Sequence, residues 1–130
     1  MRIAATVARI LLGLLFVFAG AAGFFFLNNP PPAPPGLAAT FQDVFFKSRW
    51  VTFVDGVEVI AGVLLLANRF VPVALILLAA VIANILVFHI TMYPGGIVPG
   101  LVALVLWVIV GLQYRSVFVP VFHHRAPTDF

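Results

Sequence analysis

The sequence contains no cysteine in 130 residues. Disulfides, thiol nucleophiles, cysteine-ligated zinc and iron–sulfur clusters are therefore excluded, and the usual marker of redox compartment is missing with them. Charge is scarce as well. Only 8% of the residues are Asp, Glu, Lys or Arg, against roughly 25% in an ordinary soluble domain, so the chain cannot cover a globular surface with charge. Acidic residues are rarest, four against seven basic ones for a net charge of +3. The bases are scattered along the chain rather than gathered into the face that nucleic acid requires, so no nucleic-acid partner is expected. There is no phosphate-binding loop, no Gly-x-Ser-x-Gly and no nucleophile with a base at hand. An independent catalytic activity is not expected.

What remains is apolar. Hydrophobic residues make up 64% of the chain, and the mean hydropathy is +1.21. A helix needs about 20 largely apolar residues to cross a hydrocarbon core of about 30 Å. Four stretches qualify, residues 4–27, 51–67, 70–90 and 97–113. The second and fourth are short, so they should stand upright or end in interface-seeking side chains, and Trp50, Tyr93 and Tyr114 sit where such belts belong. The first stretch also reads as a signal peptide, since Arg2 and Arg9 precede an apolar run with a small-residue patch at 19–22. The chain stays apolar through Gly23-Phe24-Phe25-Phe26-Leu27, which favours a retained span. The expected fold is all-α: an integral membrane four-helix bundle, one domain over residues 1–130.

Four spans place Arg2, Arg9, Arg69, Arg115 and Arg125 on one side, with Lys47 and Arg49 on the other. The positive-inside rule then predicts a multi-pass protein of the cell membrane with both termini cytoplasmic. The first loop opens on a proline-rich run, residues 30–36, which must be an extended spacer. After it, Leu37, Phe41, Val44, Phe45 and Ser48 follow a helical rhythm. They predict a short amphipathic helix lying on the outer surface or capping the bundle, with an ordinary tether as the alternative. The second loop is only Asn68-Arg69, so spans two and three should form an antiparallel hairpin.

Polar side chains within the spans are the informative ones, because an ionised group there costs at least ~2.5 kcal/mol. Asp55 and Glu58 share one face of span two at i, i+3. Counting helical rise from the span ends puts Glu58 level with Asn84, and Asp55 level with His89. Arg9 comes out ~6 Å along the normal from Glu58. The predicted cluster is therefore Arg9, Asp55, Glu58 and Asn84, with His89 just outside and an Arg9–Glu58 pair at its centre. Three plainer readings stand beside it: the polar residues are interhelical glue worth ~0.6 kcal/mol each, Arg9 snorkels to the headgroups, or Asp55 caps its helix end. His89 alone cannot make a bis-His haem. His123-His124 in the tail lacks i, i+4 spacing and carboxylate company, so no metal site is expected. Gly13, Gly20, Gly23, Gly56, Gly62, the Ala79/Ala83 pair and Gly96-x-x-x-Gly100 mark where helices approach closely.

The pattern Arg9-x-x-x-Gly13-x-x-Phe16-x-x-x-Gly20, then Gly56-x-Glu58-x-x-x-Gly62-x-Leu64-Leu65, then Asn68-Arg69, resembles the DoxX family of small four-helix membrane proteins. The likeness covers about residues 5–115; the proline-rich loop and the missing second glycine after Gly62 depart from it. It implies an accessory subunit of a quinone-linked membrane redox system, with membrane oxidoreductase subunits as partners and quinone as the associated cofactor. Distant relatives that assist membrane-protein assembly imply the alternative, a structural or chaperone-like scaffold. A small-solute permease, which needs a homo-oligomer to enclose a path, is the third reading.

Overall fold

The computed structural model describes residues 2–125 and residue 128. Six α-helices follow one another: α1 (Arg2–Phe25), α2 (Leu37–Lys47), α3 (Trp50–Ala67), α4 (Val71–Thr91), α5 (Val98–Gln113) and α6 (Arg115–Phe118). Short 3-10 turns occupy Pro94–Gly96 and Val119–Phe122. No strand occurs among the described residues.

Four helices close into a ring in which α1 packs on α3 and α5, and α4 packs on the same two. Ring neighbours run antiparallel, as short connections demand. The core is correspondingly small: Leu12, Phe16, Leu65, Leu75, Leu78 and Val110 are its fully buried large side chains. Many more large apolar residues point outward, among them Ile3, Phe18, Phe53, Phe70, Ile76 and Val105. That inversion suits a bundle whose surroundings are hydrocarbon.

Helices α1, α3 and α4 are each long and apolar enough to cross a membrane. The fourth expected span departs from this. After Gln113 the chain turns by 82° into the segment ending at Phe122, and α5 alone, at 16 residues, rises only about 24 Å. It counts as a span by its seat in the ring between α1 and α4.

The first loop contains the expected helix. Gly36 adopts φ 77°, a left-handed conformation natural to glycine, and starts α2. Gln42 Nε2 donates back to the Pro31 carbonyl over 2.7 Å, folding the proline spacer onto the helix. Phe41 packs on Phe88 of α4 with ring centroids 5.0 Å apart, so α2 is fastened to the bundle instead of hanging as a tether. The α3–α4 connection is as tight as its sequence implies: Asn68 and Phe70 both take left-handed φ, 54° and 52°. The amides of Asn68 and Arg69 satisfy the Leu65 and Leu64 carbonyls, an αL helix ending. Pro72 stands in the first turn of α4, where its missing N–H costs nothing.

Candidate functional site

The α1–α3 register is set by glycine. A side-chain carbon on Gly62 would lie 2.8 Å from the Gly13 carbonyl oxygen and 2.9 Å from the Val17 amide. One on Gly20 would lie 2.7 Å from the Asp55 carbonyl oxygen and from Val59. One on Gly23 would overlap the Asp55 carboxyl. Helix backbones therefore touch along three successive turns, and α1 residue 20 stands level with α3 residues 55–59.

On this seam lie both intramembrane acids, Asp55 at 6% exposure and Glu58 at 7%. The i, i+3 spacing puts them on one face as expected, separated by about 4.5 Å of rise. Glu58 Cβ would be 3.2 Å from a carbon placed on Gly20, so the acid is shut against α1. Asp55 Oδ2 and the hydroxyl of Thr52, one turn away, are buried without a hydrogen-bond partner. The reason lies in α1 itself. From Ile10 to Leu27 it offers no polar side chain, and its backbone N–H groups are spent within the helix.

Arg9 does not supply the missing cation, and the expected Arg9–Glu58 pair is not formed. Its guanidinium Nη1 donates to the carbonyl of Leu65, in the last turn of α3. Among the described residues the ion pair present is Lys47–Asp43 on α2, at 3.0 Å. The span-end arithmetic misplaced α1: the glycine seam sets Glu58 opposite Gly20, eleven residues and roughly 16 Å of rise beyond Arg9. Arg9 satisfies an end-of-helix carbonyl, which favours a cation there.

Asn84 and His89 also part from the acids. Asn84 Nδ2 donates to Ala80 in its own helix over 2.8 Å. The residue lines a lateral hollow of ≈460 Å³ between α2, α3 and α4, walled by Phe41, Phe45, Phe53 and Val57. Val54 and Val57 face that hollow while Asp55 and Glu58 face α1, so Asn84 and Glu58 border different faces of α3. His89 Nδ1 donates to the Tyr93 carbonyl at 3.0 Å and closes the end of α4, with its ring against Gly96. Equal depth along the normal is not contact; the azimuth around each helix decides.

Two residues of consequence escaped the sequence reading. Thr52 was legible, since it precedes Asp55 by three positions on the acidic face. Trp107 was not: its indole Nε1 donates to the Leu75 carbonyl over 2.8 Å, tying α5 to the N-terminal turns of α4, and nothing in the local pattern points to that carbonyl.

At the opposite end of the seam, Arg2, Arg9, Asn68, Gln113 and Tyr114 surround a cavity of ≈130 Å³. The start of α1, the α3–α4 turn and the end of α5 thus meet at one pole.

A family model, DoxX, matches residues 4–90, which span α1 to nearly the end of α4. No curated protein and no solved structure matches the chain.

Proposed function

The chain belongs to the DoxX family, and from that premise we propose that it serves as an accessory subunit of a quinone-linked membrane redox system. It contributes a proton-accepting carboxyl pair, Asp55 and Glu58, and leaves electron transfer to partner subunits. One observation carries this reading: a buried Asp55 carboxyl oxygen with no hydrogen-bond partner. Side chains that serve only as glue between membrane helices end up hydrogen-bonded to something, whereas intramembrane acids left unpaired are functional by default. Quinone reduction takes up two protons with two electrons, and a carboxyl at this depth is a group on which a proton can rest.

The same geometry argues against seating the quinone ring beside Glu58. Gly20 and Gly23 hold α1 against the acids at backbone distance, and no ring fits there. That closure favours the second reading, a scaffold whose acids only bind its helices together.

Carboxyl chemistry separates the two. A membrane-soluble carbodiimide added to native membranes should modify Asp55 or Glu58, detected by mass spectrometry of the full chain. Asp55→Asn with Glu58→Gln should slow quinone-dependent electron transfer in those membranes while the protein accumulates normally. Complete inertness to the reagent, or an undiminished rate in the double variant, removes the proton role and leaves the scaffold.

A further inference from the structure

Three hollows adjoin at the pole where α1 begins and α5 ends. The first is the ≈130 Å³ cavity lined by Arg2, Thr6, Arg9, Asn68, Gln113 and Tyr114. Arg2 and Gln113 also line a second hollow, where Leu112 and Arg115 join them. Leu112 and Arg115 in turn border a third, an apolar groove of ≈440 Å³ walled by Trp107, Gly111, Phe118 and Phe122. The 82° turn after α5 creates this groove by carrying residues 115–122 nearly at right angles across its end, with Ile76 and Ala79 of α4 on the other wall.

We propose that these connected hollows seat one anionic phospholipid, with its phosphate among Arg2, Arg9 and Arg115 and an acyl chain in the groove. Charge is the first support. Three guanidinium groups line the polar hollows and no carboxylate does among the described residues. Asp43 is held by Lys47 on α2, and Asp55 and Glu58 lie further along the seam. Arginine forks match phosphate oxygens in pairs, and basic pockets between membrane helices are known seats for anionic headgroups. Arg9 spends one N–H on Leu65, which fixes its guanidinium and leaves other donors free. Neutral donors from Asn68, Gln113 and Tyr114 complete the rim.

Size and position agree. The polar cavity far exceeds the ~10–15 Å³ that one water needs, yet falls short of the ~300–1,000 Å³ of a pocket for a whole drug-sized molecule. Helices α1, α3 and α5 all begin or end beside it, which is the depth of headgroups. A free phosphate shares the headgroup chemistry but has no use for the groove, and Leu112 and Arg115 belong to both polar and apolar walls.

Native mass spectrometry of the full chain in detergent, offered phosphatidylglycerol and phosphatidylcholine with identical acyl chains, tests the seat. Phosphatidylglycerol should be retained at least about tenfold better, the factor one good charge-assisted contact supplies. Arg2 and Arg115 are exposed, so Arg2→Gln with Arg115→Gln should keep the fold and erase that preference. Gly111→Leu places its side chain where a Cβ meets nothing within 4 Å. It should fill the groove and weaken phosphatidylglycerol binding without touching an arginine. Equal retention of the two lipids, or a preference unchanged by the arginine variants, overturns the proposal. It is also overturned if millimolar inorganic phosphate displaces the lipid and Gly111→Leu has no effect, since the site then takes a free anion.

Discussion

The two halves of the α1–α3 seam treat buried charge differently. Where α1 begins, half-buried Arg9 reaches across and finds the Leu65 carbonyl; further along, Asp55 is buried more deeply and one of its oxygens finds nothing. Side-chain length explains part of the contrast, because a guanidinium on a flexible stem can travel a full turn to a partner and a carboxyl cannot. Helix ends explain the rest. Arg9 lies beside the last turn of α3, where the regular helical pattern ends and the Leu65 carbonyl accepts from both the Asn68 amide and Arg9, whereas Asp55 faces a stretch of α1 that is glycine and hydrocarbon, with every backbone group already used. A polar group in a membrane bundle is thus satisfied by where a neighbouring helix stops, and is left poised where that helix passes by unbroken.

The contrast breaks first at the glycines. Gly20→Leu should force α1 off α3 and cost about 3 kcal/mol, read as a loss of thermal stability in detergent. Gly56→Ala, where a Cβ meets nothing within 4 Å, should be neutral or stabilising by up to about 1 kcal/mol. Equal stability of Gly20→Leu and the parent chain would show that the seam is not where the glycines put it. At the satisfied end, Arg9→Met keeps the apolar stem and loses the hydrogen bond to Leu65; thermal unfolding should show a cost of about 1.5 kcal/mol. Away from the seam, Trp107→Phe should cost about 1 kcal/mol through the lost bond to Leu75, with little change at α1. The smallest effect is the sharpest. In a double-mutant cycle, Arg9→Gln and Glu58→Gln should couple by less than about 0.5 kcal/mol, and a larger coupling would restore the ion pair that the register forbids.

Legibility followed the range of the interaction. Asp55 and Glu58 were readable as one face because i, i+3 geometry is local to α3, and α2 was readable because its apolar rhythm and the preceding proline run are local too. The pairing of Arg9 with Glu58 was inferred from counting residues inward from span ends. That count takes the ends of α1 and α3 as level, whereas the seam sets Gly13 beside Gly62 and Gly20 beside Asp55 and Val59, so α1 overhangs the end of α3 and Arg9 stays near that end. The layer joining Asn84 to Glu58 failed for a different reason: depth was right enough, but rotation about the helix axis was unknown. The run from Ile10 to Leu27 carries no polar side chain, so the lack of a donor for the acids on α1 is legible in the sequence itself.

Hydropathy alone determined that this chain is a helical membrane bundle, because apolar runs of this length with so few charges have no stable alternative in water or in lipid. Proline and glycine positions likewise determined the spacer and the contact points between α1 and α3, with Gly56 the exception, since a Cβ there meets nothing within 4 Å. The tertiary structure alone decided which residues face each other across those contacts. Packing of Gly13, Gly20, Gly23 and Gly62 sets the α1–α3 register to within a turn. That register sends Arg9 to a carbonyl and leaves Asp55 without a partner. It could not be read from either helix separately, since neither sequence contains the position of the other.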